Sequence, residues 1–287
     1  MNRIFFLKTN FLTAVFILAL IAAACFFSTE VYAQEEGDQT YTNSTYFPEV
    51  PPPPEYNTHI LNCIDKEGYY IHVKEFSCPI DKEGFLAPEL GMSITFGRNL
   101  DWEPEAHIGY PPPMPVCPTS GAVITKPVYD EDEIELLQMA VNTDEYKALY
   151  AEKHASYFLR AELNRLLEND AENRWWYLLH ATWEASHCNA KDKYRLYALR
   201  TIDAAKERLA KVSETDNEYW VLNIIIPNLY RRTANFTAAQ NWLDELGNKL
   251  PKDKQSRESF ATAFELLRTA VAKKRAGQIP MRAPGDD

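Results

Sequence analysis

The sequence predicts an α+β fold in which a small β module precedes an all-α array of helical hairpins. Residues 57–128 contain short apolar runs separated by Gly, Pro and Asp, a pattern typical of short strands and tight turns. Residues 129–276 instead repeat apolar residues at spacings of three and four, which is typical of amphipathic helices. The change of pattern near Tyr129 predicts two structural parts in one chain.

The first 33 residues have the features of a secretory signal peptide. Arg3 and Lys8 give a basic start, residues 11–27 form an almost unbroken apolar run, and Val31-Tyr32-Ala33 resembles a cleavage site. We therefore expect residues 1–33 to be removed and the mature chain to be extracytoplasmic, in the periplasm.

Two other fates of this segment stay open. The apolar run is close to the lower length limit for a membrane-spanning helix, so the signal could stay uncleaved as an anchor. Ala22-Ala23-Ala24-Cys25 also resembles a lipoprotein cleavage box, in which case Cys25 would be lipidated. We expect membrane association only under one of these alternatives.

The mature chain is predicted to be strongly acidic. Cleavage removes Arg3, Lys8 and Glu30, so the formal net charge changes from -11 for the whole chain to -12. Such a chain has no general attraction for nucleic acid or anionic lipid, and we expect no nucleic-acid partner.

Two segments are predicted to lie outside the folded parts. Residues 34–56 are acidic, poor in aliphatic residues and include Pro51–Pro54, which favours an extended polyproline II tether. Residues 277–287 are predicted to form a disordered tail.

The β module is predicted from two strands and a repeated turn. Tyr69–Val73 and Ser93–Phe96 are the predicted strands, and the pentapeptide IDKEG occurs at residues 64–68 and 80–84. Each copy suits a hairpin turn, because Asp can accept a hydrogen bond from the backbone ahead of it and Gly tolerates the positive φ that closes such a turn.

The helical part is predicted to contain consecutive helices with short connections, which favours antiparallel hairpins. Their expected bounds are Thr143 or Asp144 to Glu168, residues 171–187, residues 190–211, Ser213 or Thr215 to Arg232, residues 236–246, and residues 256–275.

The hairpin at residues 223–251 matches the spacing of large and small residues in a tetratricopeptide repeat. The matching positions are Ile226, Tyr230, Phe236, Ala239, Leu243 and Pro251. Pro227 departs from the repeat, which has Gly or Ala there, and is expected to kink the first helix. The array is therefore predicted to be tetratricopeptide-like.

Four cysteines remain after the predicted cleavage, and they would meet an oxidising compartment. They are Cys63, Cys78, Cys117 and Cys188. Four cysteines allow three disulfide pairings, and the sequence alone does not choose among them.

Two of these cysteines begin segments that look like zinc-ribbon knuckles of the form CPxCG. Residues 78–81 read CPID and residues 117–121 read CPTSG, so Asp81 and Ser120 stand where each second cysteine would be. Two intact knuckles supply four thiolates to one zinc ion, so only a vestige of such a site is predicted.

The chain resembles an uncharacterised bacterial family of unknown function, in which paired CPxCG knuckles precede tetratricopeptide-like helices. The resemblance covers roughly residues 70–250. It rests on residues 77–79 and 116–118 with Gly121, on Asp101, and on the helical segments 177–205 and 228–246. The family implies a metal-ribbon module on a helical scaffold, and it implies no established reaction.

The resemblance also implies a replacement for the metal. The first thiols of two knuckles face each other across a tetrahedral site, so Cys78 and Cys117 would be close enough for a disulfide after a modest backbone adjustment. We expect this disulfide first, with a retained metal or another pairing as alternatives, and we expect no cofactor.

A second candidate for chemistry lies at residues 171–187. His180, Glu184 and His187 are spaced i, i+4 and i+7, so they could form a metal stripe of a hydrolase on one helix face. Their positions oppose Trp176, Leu179 and Trp183, so the exposed face of an amphipathic helix is the stronger interpretation of the stripe. The spacing is not HExxH, and no separate base is visible.

The sequence therefore favours a secreted, non-enzymatic protein-binding or scaffold protein that uses the helical array to hold a protein or peptide. It contains no Gly-rich phosphate loop, no GxSxG and no CxxC. A metal-dependent hydrolase and an envelope-anchored structural lipoprotein are the alternatives. By analogy with the concave faces of helical arrays, the expected contact residues are Tyr177, His180, Glu184, Asn223 and Arg231.

Overall fold

The computed structural model describes residues 60–61, 71–90, 94–106 and 111–281, which all belong to one compact unit. The predicted signal peptide, the proline-rich tether, Cys25, Cys63 and the first IDKEG copy lie outside the described residues.

Two small antiparallel sheets form the β part. Strand β1 (Ile71–Ser77) pairs with β2 (Gly84–Leu90), and β3 (Thr95–Arg98) pairs with β4 (Pro104–Ala106). Together with the helices below, they confirm the α+β class.

The second IDKEG copy forms the turn between β1 and β2. The Asp81 carboxylate accepts a hydrogen bond from the Glu83 N–H at 3.0 Å, as the turn chemistry predicts. The positive φ, however, falls on Lys82 at 63°, whereas Gly84 is the first residue of β2. The expectation that Gly closes this turn is therefore wrong.

Eight helices follow in the described part of the chain. They are α1 (Glu131–Val141), α2 (Asp144–Ala151), α3 (Ser156–Leu166), α4 (Arg174–His187), α5 (Lys191–Leu209), α6 (Asn217–Arg232), α7 (Phe236–Leu246) and α8 (Lys254–Ala272). Helix α6 continues through Pro227, which lies inside the helix.

The observed set of helices differs from the predicted set in two places, apart from shifts of a few residues at the helix ends. Helix α1 was not among the predicted elements; it begins with a capping box in which Asp130 and Glu133 exchange hydrogen bonds with each other's backbone N–H. The single helix predicted to Glu168 is two helices, because Lys153 has a φ of 55° and ends the first of them. His154 then turns inward, where its Nδ1 lies 2.8 Å from the Tyr197 hydroxyl.

The two sheets belong to different parts of the core. Phe85 of β2 packs with Leu137 of α1 and Leu163 of α3, whereas Leu100, beyond β3, packs with Trp220 of α6 and Phe260 of α8. Strand β2 and the residue that follows the end of β3 by two positions thus each share an apolar cluster with helices.

The chain end returns to β3. Leu100 N–H donates to the Ile279 carbonyl at 2.9 Å, and Met281 N–H donates to the Arg98 carbonyl at 2.7 Å. Ile279 is buried in the same cluster as Leu100. The prediction of a disordered tail is thus wrong for residues 277–281, because they pair with a strand end and bury an apolar side chain.

Candidate functional site

Two equivalent turns lie side by side next to β1. Cys78 and Cys117 are fully buried and form a disulfide with their Cα atoms 5.6 Å apart. Each cysteine N–H donates to the carbonyl five residues ahead, Glu83 or Ala122, at 2.8 Å. Each carbonyl accepts from the N–H four residues ahead, so the pair that the family resemblance favours joins two matching turns.

The positions where a knuckle would carry its second cysteine serve these turns. Asp81 accepts from the N–H two residues ahead, and Ser120 Oγ accepts from the Ala122 N–H at 3.3 Å. Ser120 Oγ also lies 3.5 Å from Cys78 Sγ. In the part of the chain that the structure describes, no three His, Cys, Asp or Glu side chains are grouped to hold a metal ion.

The second turn requires its glycine and is fastened to helix α2. Gly121 has a φ of 74°, and a Cβ there would lie 2.8 Å from Cγ of Tyr150. The Tyr146 hydroxyl donates to the Gly121 carbonyl at 2.7 Å, and the Tyr150 hydroxyl donates to the Pro118 carbonyl at 2.7 Å. Two tyrosines of one helix thus fix the backbone of the turn.

A cleft of about 750 Å³ opens beside the disulfide. One wall is formed by five consecutive residues of β1 and its end, Lys74–Cys78, and the other by residues 112–115 and 124–129. The second wall is rich in proline, and Val128 at its rim is 74% exposed. The concave shape and mixed lining are typical of ligand sites.

The contact residues predicted on the helical array do not form an exposed surface. His180, Glu184, Asn223 and Arg231 are all buried, and only Tyr177 is partly exposed. The prediction is wrong in this respect because α4 and α6 lie between other helices, and their polar side chains bond within the protein.

Glu184 provides the first of these internal contacts. Its carboxylate accepts from the Tyr157 N–H at 3.1 Å and from the Ser156 hydroxyl at 2.9 Å. Both donors lie in the first turn of α3, whose N-cap residue Ala155 has no side chain to cap it. Burial raises the pKa of Glu184 to about 8, although these donors act to lower it.

His180 and His187 have separate environments, so the predicted metal stripe is divided. His180 lies among Tyr157, Trp176 and Trp183, with ring centroids 4.5 to 4.8 Å away, and burial lowers its pKa to about 3. His187 is paired with Glu103, and this hydrogen bond raises its pKa. The three side chains therefore have different partners.

Asn223 and Arg231 hold other parts of the chain in place. The Asn223 side chain accepts from the Trp242 indole N–H at 3.1 Å. Arg231 donates to the Gly277 carbonyl at 2.7 Å and to the Asn228 side chain at 2.7 Å. Burial lowers the pKa of Arg231 to about 10, and its contacts fasten the segment after α8.

A buried polar cluster joins the turn before β4 to the helices. Asp101 is paired with Arg232 of α6, and Glu103 accepts from Gln278 as well as facing His187. Burial is the largest cause of the raised pKa of Asp101, which Arg232 opposes. Sequence reasoning missed this cluster, since its members are distant in the chain: Glu103 and Gln278, which bond directly, are 175 positions apart.

The chain was also compared with known proteins. No family model, curated protein or solved structure matches this chain.

None of the described helices combines the length and the apolar character that a membrane span requires.

Proposed function

We propose that this protein is an exported, non-enzymatic binding protein that holds a segment of a protein partner in the cleft beside the disulfide. The observation that carries the proposal is the cleft itself, because its volume of about 750 Å³ is in the range of known ligand sites. Phe76 and Tyr129 supply apolar surface, and Lys82 supplies a charge.

The cleft is a better binding site than the helical array. The array uses Glu184, Asn223 and Arg231 for internal hydrogen bonds, so these groups are occupied. The cleft wall, in contrast, exposes Val128 to 74%. The disulfide at Cys117 and the tyrosine contacts to Pro118 and Gly121 fix the turn that connects the two segments of that wall, which favours preorganised binding.

A binding role also fits the chemistry of the lining. Among the described residues that line the cleft there is no histidine, and the Cys78 thiol is consumed in the disulfide. The described lining therefore offers neither the histidine base nor the free thiol on which many hydrolases rely.

Export is supported by two independent features. The N-terminal segment has the pattern of a signal peptide, and the Cys78–Cys117 disulfide fits an oxidising compartment such as the periplasm. The mass of the processed protein tests this inference. We expect an N-terminus at Gln34, whereas a lipidated Cys25 would indicate the envelope lipoprotein instead.

We also infer that the two turns descend from a zinc ribbon and that the array is tetratricopeptide-like. Matching hydrogen bonds in the two turns, with positive φ at Lys82 and Gly121, support the first inference. Burial of Ile226, Ala239 and Leu243 at motif positions supports the second.

Site-specific crosslinking in the native cell tests the proposed function. A photoreactive amino acid at Val128 should give a discrete, reproducible adduct with one partner segment. The matched control is Leu199, an exposed apolar residue of α5. Equal adducts from both positions, or none from Val128, would contradict a binding role of the cleft.

A further inference from the structure

Strand β1 lines the cleft, and a binding mode inferred from it rests on the proposed function. The register of β1 on β2 determines which backbone N–H and C=O groups of β1 point towards β2 and which point away from it. Cys78 N–H donates to the Glu83 carbonyl, and this pair continues the register in which Ser77 faces Gly84. Because bonded and non-bonded pairs alternate in an antiparallel ladder, Phe76 and Lys74 also bond to β2.

The backbone groups of the residues that alternate with Lys74 and Phe76 must then point away from β2. Val73, Glu75 and Ser77 direct their backbone N–H and C=O groups away from β2. Among the residues that the structure describes, no hydrogen bond uses these outward groups. Pro88 agrees with this register, because it lies opposite Val73, where β2 needs no N–H.

The two edges of this sheet are protected differently. Pro88 removes an N–H from the outer edge of β2 and so hinders pairing with another strand. The outer edge of β1 contains no proline. Instead, residues 74–77 of that strand and the following Cys78 line the cleft consecutively, whereas β2 contributes only Pro88 and Glu89.

We propose that the cleft binds an extended peptide segment of a partner as an additional strand on the free edge of β1. This mode supplies main-chain hydrogen bonds for affinity and side-chain pockets for specificity. Four residues of β1 and the following Cys78 line the cleft, which corresponds to a peptide of roughly five residues, or about 17 Å.

Charge indicates which peptide is preferred. Lys74 is already paired with Glu89 at 2.9 Å, and Lys126 with Glu133. Lys82, at the end of the cleft next to the disulfide, donates only to the Pro79 carbonyl, and no carboxylate among the described residues pairs with it. The preferred peptide therefore carries an acidic side chain at this end and an apolar one against Phe76 and Tyr129.

The probe for the test is a short peptide selected from a random display library on the purified full chain. Its affinity is measured by calorimetry for the unchanged protein and for Glu75→Pro and Ser77→Pro, which remove outward N–H donors. Leu86→Pro is the matched control, since it removes an outward N–H on the edge of β2. We expect at least a tenfold loss for the β1 variants and about a twofold change or less for the control.

A second measurement leaves the protein unchanged. N-methylation of each peptide residue in turn should weaken binding about tenfold or more at alternate positions only, because a strand uses every second N–H for one edge. If Val128→Glu abolishes binding but N-methylation is tolerated throughout, strand addition is overturned while the binding site stands. If no selected peptide depends on the cleft, both proposals fail.

Discussion

Glu184 caps helix α3 by accepting a hydrogen bond from the backbone N–H of Tyr157. The capping carboxylate comes from α4, because the residue at the N-cap position of α3 is Ala155. The positive end of the helix dipole and the first-turn donors thus have a partner from a neighbouring helix. The packing of α3 on α4 and the ends of both helices are thereby coupled.

Replacing Glu184 should be strongly destabilising. In Glu184→Ala, the Tyr157 N–H and the Ser156 hydroxyl lose a buried acceptor, and each such loss costs about 1 to 3 kcal/mol. We expect a fall of about 3 kcal/mol in the free energy of unfolding, measured by urea denaturation. Glu207→Ala on the exposed side of α5 should change it by less than about 0.5 kcal/mol, and equal effects would refute the capping role.

Stability should also depend on pH through Glu184. Its pKa rises from 4.5 to about 8 on folding, so the folded state holds more protons than the unfolded state between these values. The stabilisation is complete below pH 4.5 and is lost as the pH rises through about 8. Relative to Glu184→Gln, the wild-type free energy of unfolding should decline by up to about 1.4 kcal/mol per pH unit in this window. A flat difference would mean that the folded carboxylate is ionised throughout.

The elements that the sequence predicts well are those set by local signals. The bounds predicted for α7, Phe236 and Leu246, are those observed, because apolar periodicity and the Asn235 cap coincide there. Local turn residues likewise predict the connection between β1 and β2. The family resemblance implies that Cys78 and Cys117 are neighbours, although they are 39 positions apart.

The candidate site was harder to predict because it depends on burial from several sides. A periodic pattern assigns polar residues to solvent, yet α4 lies against both α3 and α5, and His180 and Glu184 are buried with its apolar residues. The free edge of β1 depends on which residues bond to β2, and that alternation is set by the register of the pair. Neither property is encoded in the composition of one segment.

Loss of the Cys78–Cys117 disulfide should lower stability. The loop spans 39 positions, and the chain-entropy model gives about 4 kcal/mol for a bond of this size. We expect Cys78→Ala with Cys117→Ala to show this decrease in urea denaturation. Alkylation of the urea-unfolded wild-type protein before reduction should label neither cysteine, because unfolding exposes both residues, and labelling of both thiols would contradict the bond.

Removing a glycine from one turn and introducing a glycine at the equivalent position of the other should change the stability of the protein in opposite directions. Gly121→Ala places a Cβ 2.8 Å from the Tyr150 ring at a φ of 74°, so we expect a loss of about 2 to 4 kcal/mol. Lys82→Gly relieves a positive φ of 63° and should gain about 0.5 to 1 kcal/mol. Both are measured by thermal and urea unfolding. Each variant is the control for the other. If both variants change the free energy of unfolding in the same direction, the two turns are not equivalent.

The Asp101–Arg232 pair should couple the turn before β4 to helix α6. Both side chains are nearly inaccessible, so removing one partner leaves a buried charge and should cost about 3 to 5 kcal/mol. We expect Asp101→Asn and Arg232→Met to be destabilising singly and the double variant to lose less than their sum, because it leaves no uncompensated charge. The exposed pair Lys74–Glu89 is the control, with a coupling energy below about 1 kcal/mol. If urea denaturation gives the buried pair a coupling no larger than that control, this pair does not couple the turn before β4 to helix α6.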